Sequence, residues 1–422
     1  MMEFRPGGRA ASVPFIFATV FLESLGIGII IPILPDLIRR FTTDPDFVSK
    51  YLGYFMSVYA LMQFVFSPVL GRLADRFGRR PVLLSSIFGS AIDYVIMAFA
   101  PNLIILFIGR VISGMTGAAF TVATAYMADI SDDSNRSSNF GLIGAAFGMG
   151  FIIGPAIGGA ISHFGPAAPF LAAALLNLLN FLFGYFVLPE SLKPENRRTI
   201  EWKQVNPFLS LAKLFSSKSL QLFVWVFILL YLSSNVHPSV WTLYTEAKFG
   251  WTAVQVGISL ACVGIAMAFV QGYLMRILIP RWGDPKAVLV GTVVGAISFV
   301  AMAFATEGWM IYVILIPSAL QGISNPALQS MISRQVPADE QGELQGSLMS
   351  LASLTAVIAP LMYTYLFAEF NRPTSEIQFI GMPYLIAGVI CASSLILLAV
   401  ARRHAKAGQP TASGAAPGST TT

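Results

Sequence analysis

Glu23, Asp93 and Arg110 are the charged residues of this 422-residue chain that fall deep inside long apolar runs. A charge at the middle of a bilayer costs roughly 2.5–3.5 kcal/mol on insertion scales, so such residues line a cavity or carry function. Surroundings of low dielectric penalise the charged form of a carboxyl group, and a nearby guanidinium favours it. Two acids and one arginine in that setting could take up a proton on one side of an apolar layer and release it on the other, or trade it for a cationic ligand. The structural alternative is that Glu23 and Asp93 satisfy hydrogen bonds between helices.

The elements that must position these groups follow from composition. The chain is 55% hydrophobic and 11% charged, whereas a soluble protein carries about a quarter charged residues. Mean hydropathy is +0.71. These values exclude soluble domains, a disordered chain, collagen and a disulfide scaffold. Cys262 and Cys391 both sit in apolar stretches, away from any metal-ligand or disulfide pattern. A spanning helix needs roughly 20 apolar residues, and twelve such runs are present, near 13–36, 48–70, 82–100, 103–128, 138–162, 168–188, 219–244, 253–278, 286–305, 309–333, 342–367 and 381–401. Their length and continuity predict an all-α membrane protein, since barrel strands alternate over about ten residues. The first run is too long for a removable signal peptide, contains Glu23 and lacks a small-residue cleavage site.

Of the 26 Lys and Arg, only Arg39, Arg40, Lys50, Lys248 and Arg372 fall on one side of the alternating runs, and Arg110 lies within one. The other 20 share the side of the termini. That bias predicts a multi-pass protein with both ends cytoplasmic. The basic excess is thus a topology signal, and nucleic-acid binding is not needed to explain it.

One long polar interruption divides the runs six and six. A weak internal repeat accompanies it at a spacing of 205 residues: Gly141 with Gly346, Gly154-Pro155 with Ala359-Pro360, and Arg76-Phe77-Gly78 with Arg281-Trp282-Gly283. Pro32 and Pro238 correspond within one residue. The expected organisation is two pseudo-symmetric six-helix bundles, 1–190 and 215–405, joined by a cytoplasmic linker over 191–214 and followed by a disordered tail over 406–422. Two related halves suit a transporter that rocks about a central site.

Between the second and third runs stands Gly71-Arg72-Leu73-Ala74-Asp75-Arg76-Phe77-Gly78-Arg79-Arg80-Pro81. Its two glycines permit a tight turn and close helix contact, and Asp75 among arginines can form ion pairs or cap a helix. Gly71, Asp75, Arg76, Gly78, Arg79 and Arg80, with Arg136 ahead of the fifth run, are the candidate gate. A plain positive-inside anchor is the bland alternative. The fifth run carries Gly144, Gly148, Gly150, Gly154, Pro155, Gly158 and Gly159, spaced for close helix approach around one proline.

The 71–81 string resembles the loop signature of the major facilitator superfamily, and the glycine-rich fifth run resembles its antiporter motif. Gly109-Arg110, Ser113-Gly114 and Gly117-Ala118 resemble the proton-relay motif of the same exporters. LGIGIIIPILP (25–35), YALMQFVFSP (59–68), DRFGRRPVLL (75–84), Asp93-Tyr94, FGWTAVQVGISLA (249–261), PALQSMISRQ (326–335) and ELQGSLMSL (343–351) are similar to the tetracycline/proton antiporter family, a likeness covering about residues 13–400. The resemblance implies the twelve-helix fold of that superfamily and proton-driven export by alternating access. It favours Gln63 and Gln271 as cavity residues. Asn235, His237, Met267, Gln321 and Asn325 complete the candidate cavity set, with Phe269, Phe299 and Met302 as an apolar lining, although His237 beside Pro238 reads more as a structural residue than as a pH-responsive one.

The departures bear on the cargo. The histidine those exporters carry in span eight and the acid they carry in span nine fall on Met267 and Gly295. The first-span acid is Glu23 where they more often have aspartate. The expected cargo is therefore a small amphipathic compound, tetracycline-like or otherwise, exchanged for protons by a monomer in the lipid bilayer. The alternatives are metabolite uptake, facilitative or proton-linked, and a homologue with a non-drug substrate. No metal or organic cofactor is implied. An intramembrane enzyme lacks support, because no His-Glu-x-x-His run, serine elbow or paired-histidine spacing occurs. A non-transporting receptor gives no reason for the repeat.

Overall fold

The computed structural model describes residues 8–117, 119–132, 136–197, 218–336 and 341–407. Most of the predicted linker and all but the first two residues of the predicted tail lie outside them. Twelve long apolar helices are present: α1 (Ser12–Ile30), α2 (Pro45–Phe77), α3 (Arg79–Phe99), α4 (Leu103–Ile130), α5 (Asn139–Phe164), α6 (Ala168–Val187), α7 (Leu220–Phe249), α8 (Ala253–Trp282), α9 (Asp284–Phe304), α10 (Gly308–Ser333), α11 (Leu344–Asn371) and α12 (Met382–Ala401). No strand occurs among the described residues. This is a multi-pass membrane protein.

The ends of the helices follow local chemistry. α1 stops at Ile30, short of the expected 36, because Pro32 supplies no N–H and restricts Ile31; a short helix, Leu34–Arg39, follows the turn. α2 begins at Pro45, capped by the Asp44 side chain on the Asp46 N–H at 3.0 Å. It then runs on to Phe77, so Gly71 lies within the helix, with nothing within 4 Å of a built Cβ. The turn expected of Gly71 is therefore made by Gly78 alone, at φ +108°. Its repeat partner Gly283 makes the matching turn at φ +71°.

Within the first half α1 packs on α5, α3 on α6, and α4 on α2 and α3; within the second, α12 packs on α7 and α9, and α10 on α9. The halves meet through α2 with α11 and through α5 with α8. Call the side where α1 begins and α12 ends the terminal face, and the opposite side the far face. The close approaches between halves lie toward the far face: Gly53 against the Pro360 carbonyl, Gly159 against the Ala253 carbonyl and Gly257 against the Pro155 carbonyl. Ser57 donates to the Val357 carbonyl at 2.7 Å. Toward the terminal face, Gly144, Gly148, Gly272 and Gly346 have nothing within 4 Å of a built Cβ. The bundles are pressed together on one side of the membrane and stand apart on the other.

The repeat carries a feature that helix positions alone do not require. Arg79 pairs with Asp129 at 3.1 Å. The residues 205 positions on are Asp284 and Arg334, which pair at 2.7 Å. The same ion pair occurs in both halves with its signs exchanged.

Three spans of the second half are broken near mid-depth. α7 is interrupted at Asn235, where Pro238 deprives the preceding turn of a donor. α8 contains a π turn at Val270–Leu274, and α10 a 3-10 turn at Ala319–Ile323 bracketed by Pro317 and Pro326.

Candidate functional site

A cavity of about 220 Å³ lies between the halves, lined by Glu23 of α1, Met56, Tyr59 and Gln63 of α2, Tyr94 of α3, Arg110 of α4, Asn235 and Thr242 of α7 and Pro360 of α11, among others. Of the residues expected there from sequence, it gathers Glu23, Arg110, Gln63 and Asn235. Asp93 is 0% exposed and sits directly behind the wall. It can do so because Gly109 has no side chain: a Cβ there would stand 3.0 Å from Asp93 Oδ1. Gly114 similarly admits α2, since its Cβ would stand 2.5 Å from the Tyr59 carbonyl and 2.6 Å from Met62. The small residues of this α4 segment are therefore spacers that bring Asp93 and Tyr59 up to Arg110.

Neither carboxyl oxygen of Glu23 has a hydrogen-bond partner, nor does Arg110 Nε. Asp93 makes no ion pair, but the Ser113 hydroxyl lies beside it and the Arg110 charge is near. The Arg110 guanidinium lies instead over the Tyr59 ring, 4.5 Å from its centroid. Gln63 is tied to the Gly117 carbonyl at 3.1 Å. A buried polar group without a partner is costly, so the Glu23 carboxyl is an unusual feature of this wall.

The remaining cavity candidates are not at this cavity. His237 packs among Trp241, Phe299 and Tyr384, with the Tyr384 hydroxyl 3.3 Å from Nδ1. Its neighbour Pro238 faces the cavity and turns the imidazole into the core of the second half. Phe299 and Met302 are likewise core residues, at 1% and 0% exposure. Met267 and Gln271 lie where the π turn of α8 meets the 3-10 turn of α10, whereas Gln321 reaches α7 and α9. A Cβ on Gly322 would stand 3.4 Å from Gln271 Nε2 and 3.6 Å from Met267 Cε, Gln321 donates to Ser234 at 3.3 Å, and Asn325 Oδ1 has no partner. Gly295 leaves room for Gln321, whose Cδ lies 2.7 Å from where a Cβ would be. The helix breaks, which apolar patterning does not announce, decide this placement.

Four of the fifth-run glycines are close-contact positions. Gly150, Gly154 and Gly158 meet the α1 backbone at Phe21, Leu25–Gly28 and Ile29, and Gly159 meets α8. Pro155 carries the carbonyl on which Gly257 rests. Gly144 and Gly148 face open space.

Among the described residues, the candidate gate is an ion network of the first half, joined by Ser191 just beyond it. Arg79 pairs with Asp75 at 2.6 Å and with Asp129 at 3.1 Å, and Ser191 donates to Asp129 at 2.9 Å. Arg76 is exposed beside Phe77. Arg136 opens the helix that continues as α5, and its side chain lies outside the described residues. The organising residue is one the sequence reading passed over. The Glu190 carboxylate accepts from the backbone N–H groups of Arg79 (2.8 Å), Arg80 (3.2 Å) and Leu192 (3.0 Å), capping α3. A side chain on Gly78 would occupy its place. Its signal was an acid just after an apolar run, facing a loop of arginines.

The far face is sealed by two ion pairs between the halves, also missed. Arg39 bridges Asp36 and Glu246, both at 2.7 Å, and Arg372 pairs with Asp46. Burial works against the Arg39 charge, but the hydrogen bonds and fields of Glu246 and Asp36 outweigh it and hold the guanidinium more firmly protonated than usual.

The major facilitator superfamily model matches residues 16–360 and 224–422. The chain is 44% identical over 353 residues to the class C tetracycline resistance protein of Escherichia coli, covering 84% of this chain and 89% of that one. It is 38% identical over 361 residues to the class B protein of the same organism, covering 85% and 88%. Among solved structures it resembles a bacterial homologue of the human lysosomal transporter Spinster in an inward-facing, unoccupied conformation, with a TM-score of 0.72 at 13% identity, covering 94% and 96%. Two six-helix halves around a shared cavity, the repeated loop and these likenesses agree: the chain is a transporter of the major facilitator superfamily, in the group of the tetracycline resistance proteins.

Proposed function

We propose that the chain is a proton-coupled antiporter that exports a small amphipathic compound by alternating access. The observation carrying this reading is Glu23, a carboxylate with no partner on the wall of a cavity that both halves line. Glu23 and Asp93 carry the exchangeable proton and Arg110 tunes them. The 71–81 segment closes the terminal face, which is cytoplasmic, with the protein a monomer in a bacterial-type inner membrane. Tyr59, Tyr94, Met56 and Thr242 surround the cavity with aromatic, thioether and hydroxyl groups suited to a ligand with an apolar body and a polar edge. The mid-depth break in α7 at Asn235, which lines the cavity, fits a site built at the interface of two repeats.

The test is a panel of amphipathic antibiotics, tetracycline included, added to pH-clamped proteoliposomes with proton movement as the readout. The expected result is cargo-dependent proton flux lost in both Glu23→Gln and Asp93→Asn. Transport driven by the pH gradient that survives both replacements refutes the assignment. A second reading keeps the coupling and changes the cargo. It is favoured by Gly295 and the Gln321 side chain lying against it, which leave the second half without an acid at that place. Proton flux with a non-drug amphiphile and none with tetracycline would select it.

A further inference from the structure

Arg110 poses a physical question that the coupling reading does not answer. A guanidinium 8% exposed beside two carboxyl groups ordinarily makes a bidentate ion pair with one of them. Here no ion pair joins Arg110 to either acid: its Nε and both Glu23 oxygens lack a hydrogen-bond partner, and Asp93 has the Ser113 hydroxyl beside it and the Arg110 charge nearby. The contact Arg110 does make is with an aromatic face, 4.5 Å from the Tyr59 centroid. The ring is pinned in that position. α2 is drawn against α4 at Gly114, where a Cβ would stand 3.1 Å from Tyr59 Cα, and at Gly117, where it would stand 2.9 Å from the Tyr59 hydroxyl oxygen.

We propose that Tyr59 is a positioning residue whose ring face holds the Arg110 guanidinium off Glu23 and Asp93, so that both acids stay open to protons and cargo. This rests on the coupling assigned above to those two acids. An aromatic face attracts a cation through its quadrupole, more strongly where water is excluded, and does so without committing a carboxylate. A carboxylate partner would instead be locked in its charged form by the arginine. The titratable groups around this point are Glu23, Tyr59, Asp93, Tyr94 and Arg110; the cavity residues of α5, α7 and α11, such as Phe151, Asn235 and Thr242, have none.

The test uses the full chain in proteoliposomes without cargo, reading the infrared carbonyl band of protonated carboxyl groups as pH is varied. Glu23→Gln and Asp93→Asn assign the band. In Tyr59→Leu the released guanidinium pairs with a carboxylate, and the band should titrate about one pH unit or more toward acid, the effect of an opposite charge at close range. Tyr59→Phe keeps the ring and should titrate as the parent does. A band unmoved in Tyr59→Leu overturns the proposal, because the ring would then only fill space. Equal shifts in the leucine and phenylalanine variants also overturn it, since the hydroxyl and not the ring face would be responsible. Absence of any titrating band in the parent is a different failure, and it falls on the coupling assignment itself. Proton-driven export by Tyr59→Leu should lose its activity at a lower external pH than the parent.

Discussion

The Arg39–Glu246 pair bridges the two bundles at the far face, so it exists only while that face is closed. Replacing Glu246 with Gln removes the charge and keeps the shape. The pair is 2.7 Å long, with Arg39 42% and Glu246 15% exposed. Two charges 4 Å apart attract by about 4 kcal/mol at an effective dielectric of 20. With the arginine this open to solvent, screening and side-chain ordering reduce the net to about 1 kcal/mol. That is about a five-fold change in the ratio of far-closed to far-open molecules. Spin labels at the exposed positions Thr43 and Thr306, on opposite halves, would report the two populations as a distance distribution. Glu246→Gln should enlarge the long-distance population about five-fold at low salt. The parent should approach it in 1 M salt, where the Debye length falls to about 3 Å. Arg39→Gln combined with Glu246→Gln should cost less than the sum of the single changes. Identical distributions for parent and Glu246→Gln at low salt, or strictly additive effects, would refute the latch.

Asp75→Asn leaves Arg79 with Asp129 alone and should lower turnover several-fold with little effect on apparent affinity, measured as initial rates over a range of cargo concentrations; normal turnover counts against a gating role. Glu190→Ala strips the acceptor from the Arg79 and Arg80 N–H groups at the start of α3 and from that of Leu192, and should cost about 1–2 kcal/mol, in line with the loss of a helix cap, seen as a lower melting temperature in detergent. Gly154→Val drives a side chain into the α1 backbone, where even a Cβ would stand 2.6 Å from the Leu25 carbonyl and 2.9 Å from Gly28 Cα. It should destabilise by about 1–3 kcal/mol or more, whereas Gly148→Val, with open space beside it, should melt as the parent does.

The twelve spans were legible because bilayer thickness imposes long apolar runs that nothing else in the chain imitates. Their ends were less so: α1 stops at a proline turn, and α2 continues through Arg72 and Asp75 because a helix leaving the membrane keeps its backbone bonds among charged residues. Glu23, Asp93 and Arg110 stood out for the cost of placing charge in oil, and they do come together. Tyr59 and Tyr94 did not stand out, since a tyrosine in an apolar run reads alike whether it faces a cavity, a neighbour or lipid. Of the second-half candidates, Asn235 lines the cavity, whereas Gln271, Gln321, Asn325 and His237 fall outside it. Their direction is set by the Asn235 break, the π turn and the 3-10 turn, and a rotation of that kind leaves no periodic trace. The far-face latch joins charges some 200 or more positions apart, at loop ends where any charge is unremarkable.

The sign exchange between the Arg79–Asp129 and Asp284–Arg334 pairs limits how this chain can vary. Reversing a single member sets two like charges about 3 Å apart within one bundle, so each pair can change only as a unit. The duplicated bundles have thereby become electrostatic opposites at equivalent positions and are no longer interchangeable parts. A chimera built from two copies of the first half would keep every local bond of the network, yet would lose the polarity difference that tells one half from the other.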